Sequence, residues 1–182
     1  MTTLGHAIFR RGAFVLFAVF LPLVSLAFSA TQPASLQVMV SVKSIFELTV
    51  DRNLIDFKTM LPGESKRDMP DNEGVKVSVK SNNGRPWYLK IGDLYELSNG
   101  TDSISNTNFT WNGSPSRTAT GTWYGKGDNA LSLTPEMAYS SHSSEYNNYP
   151  AGTDLFFRFG LKVPAKQNSG IYRSIVAFTL TE

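Results

Sequence analysis

Residues 81–93, SNNGRPWYLKIGD, place a turn signal at Asn82, Asn83 and Gly84 just ahead of a run in which Trp87, Leu89 and Ile91 alternate with Tyr88 and Lys90. Side-chain direction along a strand repeats every two residues, so if Leu89 and Ile91 point inward, Trp87 must point inward with them. Pro86 suits the start of such a strand, where its missing N–H breaks no ladder bond. The stretch therefore predicts a core indole rather than an exposed binding platform. Burying roughly 150–250 Å² of indole at about 25 cal/mol per Å² is worth at most about 4–6 kcal/mol. That is comparable with the whole net stability of an ordinary domain.

The same period of two runs through the rest of the chain, broken every eight to twelve residues by Gly, Pro, Asn or Asp. Leu36, Val38, Val40 and Val42 alternate with Gln37, Met39 and Ser41, and the pattern resumes through Phe46, Leu48 and Val50. Ile55 and Phe57 precede a Pro62-Gly63 turn, and Val75, Val77 and Val79 alternate with Lys76, Ser78 and Lys80. Near the C-terminus, Leu155, Phe157, Phe159, Leu161 and Val163 share one face, and Tyr172, Val176, Phe178 and Leu180 form the last one. Residues 94–150 read as polar loops around a few short strands, with GKGDNA as a hairpin turn. The expected fold is all-β: a single antiparallel β-sandwich, immunoglobulin-like in general plan, with about seven to nine strands.

The N-terminus has the layout of a secretory signal peptide. Arg10 and Arg11 precede an uncharged apolar run from Gly12 to Phe28, and small residues at Ser25 and Ala27 suit cleavage after Ala27. Residues 1–27 are accordingly read as leader and 28–182 as the domain, in preference to a retained membrane anchor. The mature chain is expected to have no membrane span and to reach the periplasm, the cell surface or the medium. The sequence holds no cysteine, which excludes disulfides, thiolate metal sites and a cysteine nucleophile. Once the two leader arginines are set aside, acidic and basic residues balance, so nothing favours nucleic acid as a partner.

Chemistry-bearing clusters are sparse. His142, in SSHSSEYNN, is the only histidine beyond the leader and reads as a solvated loop residue; no nucleophile–base constellation surrounds it, and a non-enzyme is expected. DMPDNEG gathers Asp68, Asp71, Asn72 and Glu73, but its spacing misses the ligand ladder of a calcium loop, so neither metal nor cofactor is expected. Asn99, Asn108 and Asn112 open N-x-S/T triplets, which matter only in a host that glycosylates them. The best binding candidates are the aromatic residues Trp111, Trp123 and Tyr124. They could stack on sugars or dock a partner. The plainer alternative makes Trp111 and Trp123 inward residues of short strands.

The order IDFKTMLPGE, VKVSVKSNNGRPWYLKI and DLFFRFGLKVPAKQNSGIYRSIVAFTLTE resembles small exported bacterial β-sandwiches, in particular the WxL-type cell-surface domain. Trp87, Tyr88 and Leu89 match its first Trp-x-Leu element; Tyr172 with Phe178, Thr179 and Leu180 resembles the second, with phenylalanine in place of tryptophan. That resemblance implies noncovalent attachment to a cell-wall or surface polymer, or to another surface protein. The chain also resembles fimbrial subunits, whose sandwich is completed by a neighbour's N-terminal strand. Residues 36–42 could serve as that strand, making self-assembly possible, or pair within their own domain. The functional expectation is a surface or extracellular structural and interaction protein, with a carbohydrate-binding module and a pilin-like subunit as alternatives.

Overall fold

The computed structural model describes residues 36–70 and 74–182. The leader read at 1–27 and the domain start at 28 lie outside them. The compact unit is Ser41–Glu182, and its regular structure is almost wholly antiparallel strand. In chain order the strands are β1 (Phe46–Val50), β2 (Ser65–Met69), β3 (Val75–Ser81), β4 (Tyr88–Asp93), β5 (Leu97–Ser98), β6 (Ser103–Ile104), β7 (Phe109–Pro115), β8 (Thr122–Trp123), β9 (Asn129–Ala130), β10 (Glu136–Ser140), β11 (Thr153–Lys162) and β12 (Val176–Thr181). One sheet has the order β1-β3-β11-β7-β9, with β2 pairing the second half of β11. The other has the order β12-β4-β10-β8, and β5 with β6 forms a separate hairpin.

The two sheets pack face to face, and the faces are those the alternation predicts. Val75, Val77 and Val79 of β3 and Leu155, Phe157, Phe159 and Leu161 of β11 meet Trp87, Leu89 and Ile91 of the opposing sheet in one core. Trp87 is 0% exposed. Its ring lies 5.5 Å from that of Tyr139, and its Nε1–H donates to Glu145 O at 3.2 Å, so the one polar atom of the indole is satisfied. Phe157 reaches across the sandwich to Phe178 of β12, with ring centres 4.8 Å apart.

Strict alternation fails in β10, where Ala138 and Tyr139 are both buried. The register against β4 slips between Met137 and Tyr139, and such a bulge turns two successive side chains toward the same face.

Three expectations are corrected. Residues 36–45 form no strand; the first strand begins at Phe46. β7, in a stretch read as loops around a few short strands, is instead a central strand paired with β11 over seven residues from Leu155↔Pro115 to Leu161↔Phe109. Its Asn, Gly, Ser and Pro residues look like a turn, but Gly113 is there for clearance: a Cβ on it would lie 1.9 Å from Phe156 O. GKGDNA is not a hairpin turn either. It links β8 to β9, which belong to different sheets, so the chain crosses the sandwich there.

Candidate functional site: an exposed apolar segment and two unpaired sheet edges

Leu36, Val38, Met39, Val40 and Val42 are 78–93% exposed, the largest run of bare apolar side chains among the described residues. Their alternation is that of a strand, yet no strand forms. The chain becomes anchored only at residues 43–45. Ile45 N–H donates to Asn82 Oδ1 at 2.7 Å, Asn82 Nδ2 donates to Lys43 O at 2.8 Å, and Asn82 N–H donates to Ile45 O at 3.1 Å. The asparagine amide thus takes over where the β1–β3 ladder ends at Phe46↔Ser81. Ser44 Oγ donates to Asn83 Oδ1, and Asn83 Nδ2 donates to Glu182 Oε1, both at 2.5 Å. The turn read as SNNG therefore ties the root of the exposed segment to the end of the last strand.

Beside that root lie two open sheet edges. β1 ends one sheet and β12 ends the other, and neither has a second strand neighbour among the described residues. Phe46 and Leu48 of β1 and Val176, Phe178 and Leu180 of β12 pack on the core but remain only half-buried. Their counterparts on β3 and β4 are completely covered. An edge with free N–H and C=O groups and half-covered apolar side chains is a template for one more strand.

The loop aromatics separate. Trp111 is buried on β7 and Trp123 is half-buried on β8, edge to face at 6.0 Å, and both rings contact Phe157. They are core residues at the far end of the two sheets, and Gly125 allows their close packing, since a Cβ there would lie 2.3 Å from Trp111 Cζ3. Tyr124, at 50% exposure, is the one candidate of the three that presents a ring to solvent. His142 does not hang free in a loop. It caps a short 3₁₀ turn, its N–H donates to Glu145 Oε2 at 2.9 Å, and Ser144 N–H donates back to its Nδ1 at 3.4 Å.

Glu145, unremarked in the sequence, is buried and fully used. Its Oε1 accepts from Tyr139 Oη at 2.7 Å and from Thr120 N–H at 2.9 Å. Burial, followed by the adjoining carboxylate, pushes the Tyr139 phenol well above its ordinary range. The His-x-x-Glu spacing of a capping box is the signal that could have found this carboxylate.

Asp68 accepts from Asn112 Nδ2 at 3.2 Å, and the other members of its acidic loop, Asp71, Asn72 and Glu73, lie outside the described residues. No group of three or more His, Asp or Glu side chains that could hold a metal occurs among the described residues. No helix among them is long and apolar enough to cross a membrane. The two Trp-x-Leu-like elements lie on adjoining strands, with Leu180 opposite Leu89 and Phe178 opposite Ile91. No protein-family model matches the chain, and no curated protein sequence matches it.

Proposed function

We propose that this chain is an exported, non-catalytic surface component that works by noncovalent association, and that the association runs through residues 36–42, which add as a strand to a neighbouring copy of the sandwich as in a pilin-like subunit. One observation carries the reading: a strand-patterned apolar segment stands in solvent while two sheet edges lie unpaired. Burying four aliphatic side chains is worth about 1.5–3 kcal/mol each. Ordering seven residues costs about 1–2 kcal/mol each. These terms nearly cancel, so the new main-chain hydrogen bonds, worth about 1 kcal/mol apiece, decide the balance. The association is therefore concentration-dependent.

The cell-surface part of the reading draws on the adjoining Trp-x-Leu-like elements and on the leader pattern, and the immunoglobulin-like plan belongs to it as well. A carbohydrate-binding module has less support, because two of its three aromatic candidates point into the core and only Tyr124 remains.

Sedimentation velocity tests the proposal on the exported protein and on a variant lacking residues 36–42. The intact protein is expected to form dimers and longer chains as concentration rises, while the variant stays monomeric with an unchanged unfolding midpoint. An intact protein that remains monomeric at about 1 mM, where even a ~4 kcal/mol association is half formed, removes the reading. So does a variant that assembles equally well.

A further inference from the structure

Trp87, Leu89, Ile91 and Asp93 occupy one face of the β4 segment at a period of two, so the last inward position in that row is a carboxylate. Asp93 lies opposite Val176, the first residue of β12. It is 2% exposed, and neither carboxylate oxygen has a hydrogen-bond partner. The contrast with Glu145 is direct, since that buried acid accepts three hydrogen bonds. Asp93 is held by its main chain, with its N–H donating to Ser132 O at 2.9 Å and the next residue's N–H donating to Ile175 O at 3.0 Å. The Ser174 hydroxyl, the one side chain that tempers it, donates to Tyr95 O at 2.6 Å instead. Against the outer side of the strand, Ser132 and Pro135 close in on Gly92 so tightly that a Cβ there would lie 3.0 Å from Pro135 Cα.

We propose that Asp93 makes the pairing of β12 with β4 responsive to pH: protonated, it fits the core as a small neutral group, and ionised, it is an uncompensated buried charge that loosens the start of β12. A carboxylate in a dry environment with no cation beside it, and with its one nearby hydroxyl donating elsewhere, lowers its energy by taking up a proton. Burial raises its carboxyl from 3.8 to about 6, with the Ser174 hydroxyl pulling the other way. Lys90, Tyr95, Glu96, Glu136 and Arg173 are the ionisable residues on the segments around it, and no charge contributes to that rise.

The sign follows from linkage. The folded state binds this proton more tightly than the unfolded chain does, so the associated stability is fully present below about pH 4. It falls as pH rises and is gone above about pH 6. A difference of about two pH units corresponds to about a hundredfold in the folding equilibrium constant.

Two measurements test the proposal. In the intact protein, the carbon-13 shift of the Asp93 carboxyl is expected to titrate with a midpoint near 6, and the amides of β12 to exchange faster above it than base catalysis alone explains. Between pH 4 and 7, the stability of the wild type relative to Asp93→Asn is expected to drop by about a hundredfold, because the variant stays neutral throughout while other carboxyls cancel in the comparison. A carboxyl midpoint at or below 4 overturns the proposal without recourse to any variant. A midpoint near 6 with β12 exchange unchanged across it overturns the coupling to β12.

Discussion

Trp87→Ala is expected to lower the free energy of unfolding by about 3–5 kcal/mol, the range for removing a large buried aromatic side chain. The loss has two parts. The indole is fully covered between the sheets, so its removal forfeits burial and leaves a cavity beside Tyr139 that neighbouring strands cannot close. It also frees the carbonyl of Glu145, which accepts the indole N–H and belongs to the turn that positions the buried carboxylate. Trp87→Phe keeps most of the ring and loses only the donor, and is expected to fall at about half that cost. Equilibrium urea unfolding checks both, and a Trp87→Ala loss below about 1 kcal/mol would place the indole outside the core.

Glu145→Ala has an expected cost of similar size, about 3–5 kcal/mol, for a different reason. It removes the acceptor of three donors at once: the Tyr139 hydroxyl and the N–H groups of Thr120 and His142. Each donor left without a partner in a buried place costs about 1–3 kcal/mol, somewhat less where water reaches it. Glu145→Gln keeps an acceptor for Tyr139 and Thr120 but turns an amide N–H₂ toward the His142 N–H, and is expected to cost roughly 1–3 kcal/mol. The order Ala worse than Gln, measured by unfolding, is the result the network requires. Equal losses would mean that the side chain matters for shape rather than for its oxygens.

The strands that carry the core were legible because their chemistry is uniform. Through most of β3, β4 and β11 the inward side chains are aliphatic or aromatic at a period of two; the exceptions sit at strand ends, Ser81, Asp93 and Thr153, and at Gly92 and Gly160, which are buried out of turn. β7 was hidden because it spends its apolar content on Phe109 and Trp111 and then continues through Asn112, Gly113, Ser114 and Pro115. What makes those last residues a strand is the neighbouring β11, a partner too remote in sequence to appear in any local pattern. Residues 36–42 show the opposite failure. Apart from Met39 their alternation matches that of β3, but alternation reports only that a strand is possible; it does not say which edge, in this copy or another, receives it.

The site was less legible than the fold. Trp111 and Trp123 drew attention as aromatics among polar neighbours, and they serve the core; Glu145 and Asp93 drew none, and they are the buried acids. Position decides their roles. Asp93 shares a strand face with Trp87, and Glu145 answers a histidine three residues back, so both were placed by spacings that composition conceals.

Amide hydrogen exchange at residues 36–42, followed as protein concentration is raised, tests the assembly claim most directly. Strand addition to a neighbouring copy predicts exchange near the free-chain rate in dilute protein and strong protection in the same amides, alternating along the segment, once chains form. Free-chain exchange at every concentration, in samples shown by sedimentation to contain oligomers, would contradict it.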